Sequence, residues 1–187
     1  MYNARMQKHQ FIVTGAATAG KSTFSHELIK KYYLQHICID PIIEGFEDVF
    51  PQLGITHNAN THEAHVEVCQ KFKPFISRMI DGLDVDDFVI EGFRLPLADL
   101  HDKYPHLQYF AFGFPSDTPE SRLARVRKYD TDNWTNSMED DELKEVFKFL
   151  VDESQHLEIL CKERSIPFFD TTEDYHGSLQ KALTLVH

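Results

Sequence analysis

No apolar run in this 187-residue chain approaches the roughly 20 residues needed to span a bilayer. The first ten residues, Met1 to Gln10, are polar and lack the apolar centre of a secretory signal. Cysteine is scarce: Cys38, Cys69 and Cys161 lie far apart with no C-x-x-C spacing, and read as free, buried thiols of a reducing cytosol. Basic residues are the minority, 19 Lys and Arg against 30 Asp and Glu, for a formal net charge of −11. That balance argues against nucleic acid as a partner, and it means that an anionic substrate must be drawn in by a local basic cluster or by Mg²⁺. Repeats and low-complexity segments are missing too. What remains, 42% hydrophobic and 26% charged residues, describes one soluble globular domain over 1–187, expected in the cytoplasm, with no membrane role and no legible oligomeric state.

Against these absences stands one complete motif. Gly15, Ala16, Ala17, Thr18, Ala19, Gly20, Lys21, Ser22 and Thr23 spell G-x-x-x-x-G-K-[ST], a phosphate-binding loop. Gly15 and Gly20 let the chain wrap closely around a phosphate, so that backbone N–H groups point inward. Lys21 supplies a mobile charge for the outer phosphates, and the Ser22 hydroxyl suits Mg²⁺. Four constrained positions match by chance in roughly one chain of this length in a hundred or two, so the flanking context decides. Phe11-Ile12-Val13 reads as a buried strand before the loop, and Phe24, Leu28, Ile29 and Tyr32 fall at helical spacing after it. Strand, loop and helix come in the required order, and the expected ligands are ATP and Mg²⁺.

Five short apolar runs read as strands: Phe11–Val13, Ile37–Ile39, Phe88–Ile90, Leu107–Phe112 and Ile166–Phe169. Helical patterns separate them, which predicts an α/β fold with a parallel sheet. Two stretches exceed a plain crossover. Residues 41–85 combine a mixed segment after Pro41, a polar loop from Thr56 to Asn60 and a long helix to about Asp81, an insertion suited to a second substrate. Residues 122–137 carry Arg122, Arg125, Arg127 and Lys128 and then a polar loop, read as a lid. Thr118-Pro119 marks a helix start, and Ser137 with Asp140 and Glu142 opens another helix, its buried stripe marked by Leu143, Val146, Phe147, Leu150, Leu157 and Leu160.

At this point the chain resembles the nucleoside-monophosphate kinases and their adenylate-kinase-like relatives that phosphorylate small molecules. The resemblance covers nearly the whole length. Beyond Gly15–Thr23, Asp87-Phe88-Val89-Ile90-Glu91-Gly92-Phe93-Arg94 looks like their strand ending in an acidic residue, Gly, an aromatic and an Arg. Arg-Leu-Ala-Arg-Val-Arg at 122–127 is similar to the start of their lid, and Ile166 to Thr171 to their last strand and adenine-side loop. The family's usual Asp is Glu91 here, and its Pro between the aromatic and Arg is missing. A second strand ending in Asp40 looks more like kinases of small hydroxyl compounds. The resemblance implies a three-layer P-loop sandwich of five parallel strands in order 2-3-1-4-5.

Individual residues carry competing readings. Asp40 at a strand end can take the proton of an attacking hydroxyl or hold a water on Mg²⁺; the plainer reading is a turn residue before Pro41. Glu91 ends the next strand and can hold Mg²⁺ through water or touch substrate. Arg94, just beyond, can grip an anionic substrate group, or form a surface ion pair. Arg122 and Arg125 share a helix face, and at least one is expected to reach the transferring phosphate. Arg78 closes the long helix of the insertion and can face substrate or solvent. His62, His65 and Cys69 fall at i, i+3 and i+7; that spacing can hold a metal, yet no strong fourth ligand is evident, and a pocket-lining face is the commoner outcome. Trp134, the sole tryptophan, either closes over substrate or packs.

The expected function is transfer of the γ-phosphate of Mg-ATP to a small-molecule acceptor, a hydroxyl with Asp40 as base. The alternative within the class is a nucleoside-monophosphate kinase, whose phosphate acceptor needs no base and would be held by Arg94. The other class is an NTPase or a nucleotide-binding regulatory protein. An Asn-Lys-x-Asp motif for reading guanine is missing, as is a motor's four apolar residues followed by Asp-Glu, and Lys21, Ser22, Asp40 and Glu91 speak for retained catalysis.

Overall fold

Strands buried on both faces need apolar side chains on both, and this chain supplies them as short runs. In the computed structural model, which describes residues 8–129 and 134–186, they form β1 (Gln10–Gly15), β2 (Gln35–Cys38), β3 (Phe88–Gly92), β4 (Gln108–Gly113) and β5 (Phe168–Asp170). All pair in parallel, in the order β2-β3-β1-β4-β5. The helices are α1 (Lys21–Tyr32), α2 (Asp40–Val49), α3 (His62–Asp81), α4 (Leu97–Lys103), α5 (Pro119–Tyr129), α6 (Asp140–Arg164) and α7 (Tyr175–Thr184). The sheet order is the one that the sequence resemblance implies.

Alternation along each strand sorts the core into two layers. Phe11 and Val13, Val89, and Phe110 and Phe112 meet Phe24 and Leu28 of α1 and Leu179 and Ala182 of α7. Ile12, Ile90, Tyr109 and Ala111 meet Ile43 of α2, Phe72 and Ile76 of α3, and Leu97 and Leu100 of α4. The 25-residue α6 serves both: Leu143, Phe147 and Leu150 join the first layer, and Leu157, Leu160 and Cys161 the second. Because Val89 faces α1, Glu91 two residues on faces α1 as well.

The expected boundaries shift where local chemistry decides. The insertion resolves into α2, a turn of 3-10 helix over Pro51–Leu53, and α3. Strand β2 stops at Cys38, and Asp40 becomes the first residue of α2, with Pro41 in its first turn. Ser137 does not cap α6: it lies in a 3-10 turn and its hydroxyl donates to the Trp134 carbonyl, while Glu139 stands at the helix start. Of the three free thiols, Cys69 and Cys161 are buried and Cys38 only half-buried. No helix among the described residues is long and apolar enough to cross a membrane. The start of the polar N-terminus, residues 1–7, and the centre of the expected lid, 130–133, lie outside the described residues.

One position shows how tightly the loop is seated. Gly15 leaves β1 at φ +140°, and a Cβ there would lie 1.9 Å from the Phe112 carbonyl oxygen of β4. Gly15→Ala must therefore displace backbone, and should cost about 3 kcal/mol or more of stability. Urea unfolding measures it; a loss below about 1 kcal/mol would show a loop free to move away from β4.

Candidate active site

The phosphate-binding loop joins β1 to α1. Thr18 and Gly20 both take positive φ, 64° and 104°, and between them the Ala19 N–H donates to the Ala16 carbonyl at 3.2 Å. Gly20 is the N-cap of α1, and the first turn of that helix carries no acidic residue, so its positive end is not neutralised locally. Lys21, 7% exposed, donates from Nζ to the Ala16 carbonyl at 3.0 Å and so closes the loop. Burial pulls the Lys21 pKa down, and the charges of Asp40 and Glu91 oppose that pull. Ser22 and Thr23 are exposed at the start of the helix.

Two carboxylates stand within electrostatic reach of Lys21. Glu91 sits in β3 opposite Cys38 on one side and Val13 on the other. Its Oε1 bonds His36 Nε2 at 2.9 Å, while its Oε2 is buried with no hydrogen-bond partner among the described residues. A buried carboxylate oxygen without a partner is costly and suits a site that takes a cation or a hydroxyl there. Asp40 lies beside it across Gly92: its Oδ1 is 3.5 Å from the Phe93 N–H and would be 3.4 Å from a Cβ at Gly92. Only a glycine lets the two strand ends approach this closely, since that same Cβ would be 2.7 Å from Ile39 Cβ.

The arginines divide by what they hold. Arg94 is buried and points back into the protein: Nη2 donates to the carbonyls of His57 and Ala59 at 2.9 and 2.8 Å, and Nη1 to His65 Nδ1. It fastens the loop before α3. Burial lowers its pKa, and burial beside this cation pushes His65 down to about 3, so that His65 is neutral with its proton on Nε2. Arg122, stacked 3.9 Å over the Phe114 ring, holds the phosphate loop from outside through the Thr18 hydroxyl and carbonyl. Arg125 is more open, 3.8 Å from the buried Asp117. Arg127 ties α5 to the Thr135 and Met138 carbonyls and to Asp140. Arg78 is exposed, sixteen residues beyond His62 and so roughly 24 Å along α3, where its charge reaches Asp81. Trp134 is half exposed in its 3-10 turn.

These contacts separate two residues that share a helix face. Arg122→Ala removes charged hydrogen bonds from a buried site and should lower the unfolding free energy by about 1.5–3 kcal/mol. Arg125→Ala, which removes a partly exposed cation held at 3.8 Å without a hydrogen bond, should change it by less than about 1 kcal/mol. Denaturant titration of both checks the ranking, and equal losses would refute it.

Some neighbours of the site carry no motif. Tyr175, at the start of α7, bonds the Thr23 hydroxyl at 2.8 Å and covers Gly20, where a Cβ would meet its ring at 3.1 Å. His36 of β2 meets the site through its bond to Glu91 and faces the His26 ring edge-on at 5.9 Å. Below Thr14, on the other face of β1, a cavity of about 340 Å³ opens between α3, α4 and α6, lined by His62, His65, Phe93, Leu95, Glu153 and His156.

No protein-family model and no curated protein sequence matches the chain. Solved structures do. Shikimate kinase from Bacteroides thetaiotaomicron superposes with a TM-score of 0.58 at 15% identity, over 96% of this chain and 98% of that one. Shikimate kinase from Acinetobacter baumannii, in complex with shikimate, gives 0.57 at 16% identity, over 95% and 93%. A gluconokinase from Sinorhizobium meliloti gives 0.54 at 14%, over 95% and 90%. The fold is that of the P-loop small-molecule kinases. In open α/β sheets ligands gather beyond the carboxyl ends of the strands, which is where Gly15, Asp40 and Glu91 stand.

Proposed function

We propose that the chain is a kinase that moves the γ-phosphate of ATP to a hydroxyl of a small molecule. The observation that carries this reading is that two carboxylates, Asp40 and Glu91, stand beside Gly92 at the strand ends, within electrostatic reach of Lys21, while Arg94 is engaged with backbone carbonyls. A phosphate acceptor would meet two negative charges and lack its cation; a neutral hydroxyl meets a base. The neighbouring structures, kinases named for shikimate and gluconate, support the same acceptor chemistry.

Phosphoryl transfer needs positioning and charge neutralisation more than covalent work. The loop N–H groups, the start of α1 and Lys21 hold the β- and γ-phosphates. Asp40 accepts the hydroxyl proton as the acceptor oxygen bonds to the γ-phosphorus and the bond to the β-phosphate oxygen breaks, leaving ADP. The orphaned Glu91 Oε2, through a water, and the exposed Ser22 hydroxyl are the oxygen donors that would hold Mg²⁺, and the ion would supply neutralisation of phosphate charge. Arg125 closes on the transferring group.

A thermal-shift screen of hydroxylated metabolites, run with Mg²⁺ and a non-hydrolysable ATP analogue, tests the reading. Binding at a hundred times Kd adds about 2.7 kcal/mol to the folded state, and hits are then assayed for ADP release. Absence of any shift with the Mg-nucleotide at saturating concentration would end it.

A further inference from the structure

Two facing helices each bring a pair of side chains, spaced three residues apart, to one point. Helix α3 contributes His62 and His65, and α6 contributes Glu153 and His156; this spacing puts both members of a pair on one helix face. They converge on the Glu153 carboxylate, whose side chain is 6% exposed. His62 Nδ1 lies 2.8 Å from its Oε1, His156 Nδ1 3.8 Å from the same oxygen, and His65 Nε2 3.8 Å from Oε2. The His62 and His156 rings stack with centroids 3.8 Å apart. A buried carboxylate calls for a paired charge; three imidazoles surround this one, and the Arg94 guanidinium lies within electrostatic reach.

We infer that His62, Glu153 and His156 form a binding site for a divalent transition ion of the zinc class, with a coordination position open to the cavity. One donor atom from each residue can be chosen so that all three lie within 4.8 Å of one another. Around a tetrahedral ion with ligands at about 2.0–2.2 Å, donors stand roughly 3.3–3.6 Å apart and each imidazole holds the ion in its own ring plane, so closing the site needs the stacked His62 and His156 rings to turn out of their 21° arrangement as well as to shift. Two imidazoles and one carboxylate are the donor set of catalytic zinc sites, and Glu-x-x-His on one helix is a recurrent way to present two of them. Mg²⁺, which wants an oxygen shell, is a poor match for two nitrogens, so this site and the nucleotide's ion do not compete. His65 is committed elsewhere. Its Nδ1 accepts from Arg94, so its N–H is on Nε2, facing Cys69 Sγ at 3.5 Å and the second oxygen of Glu153. With both ring nitrogens so engaged, His65 is not among the ligands. The cavity beside the three ligands leaves room for a water or a small oxygen ligand in the fourth position.

The test uses the full chain, stripped by chelator and titrated with Zn²⁺ alone in excess Mg²⁺, by calorimetry and thermal shift. One ion per chain should bind and raise the melting temperature. Both histidines are partly exposed, 40% and 49%, so His156→Ala and His62→Gln should fold, and each should weaken Zn²⁺ by about tenfold to a hundredfold or more. The visible bands of a Co²⁺-loaded protein should disappear in both. A Lys21→Ala variant should bind Zn²⁺ as the parent does, so that failure of this site and failure of the nucleotide site are read separately. No bound ion, or the same affinity in both histidine variants, overturns the inference and leaves a hydrogen-bonded histidine cluster.

Discussion

Replacing Lys21 by Ala should reduce phosphoryl transfer by about a thousandfold or more and abolish the thermal stabilisation that Mg-ATP gives. The size follows from the surroundings of the ammonium group. It is buried in the closed loop, bound to the Ala16 carbonyl and flanked by Asp40 and Glu91. A desolvated charge acts on phosphate oxygens with little screening, and it is already in place when the phosphates arrive. The loop's N–H groups and the α1 terminus remain in the variant but cannot follow the charge as it moves to the γ-phosphate. Lys21→Met, closer in volume, separates this loss from any loss of packing: it should keep the parent's circular dichroism and still fail to transfer. Unchanged Mg-ATP affinity in Lys21→Ala, measured by calorimetry, would show that the loop is not the nucleotide site.

The loop that ends in Lys21 was legible in the sequence because its motif is contiguous, and so was the sheet. Runs such as Phe11–Val13 and Phe88–Ile90 are buried on both faces, and apolar composition alone marks such strands. The end of α3 at Asp81 was legible for a similar local reason, the helical spacing that runs up to it. What stayed hidden was direction. A position just past β3 suggested that Arg94 faces a ligand, whereas its guanidinium turns back to the carbonyls of His57 and Ala59; no local pattern encodes which way a long side chain turns. Arg122 and Arg125 looked equivalent on one face, yet only Arg122 reaches Thr18, 104 residues away. His62 and His65 declared a shared face, but the carboxylate that completes their cluster lies 91 residues from His62 on another helix. Tyr175 carries no motif at all and meets the loop only because α7 folds back on it. Contacts set by topology escape any reading by spacing.

Asp40→Asn should lower turnover by roughly a hundredfold or more while leaving Mg-ATP binding and melting temperature near those of the parent. The substitution keeps the shape and an oxygen at the position that faces the Phe93 N–H, 3.5 Å away, and removes only the capacity to take a proton. If the acceptor is a hydroxyl, that capacity is what makes its oxygen a nucleophile in step with transfer. A phosphate acceptor is already an anion at neutral pH, so the same change would matter little, and loss of a cation would matter instead. Arg94 is the cation which that second reading requires. Arg94→Ala would leave the His57 and Ala59 carbonyls unsatisfied, at a cost of about 2–4 kcal/mol, and so confuses folding with binding. Arg94→Lys retains charge and is the better probe: if Arg94 serves only the loop, its acceptor KM should stay near the parent's once the folded fraction is accounted for. The two variants, assayed on the metabolite found in the screen, point in opposite directions for the two acceptors. A full-speed Asp40→Asn enzyme beside a folded Arg94→Lys enzyme with a sharply raised acceptor KM would replace the hydroxyl kinase with a nucleoside-monophosphate kinase.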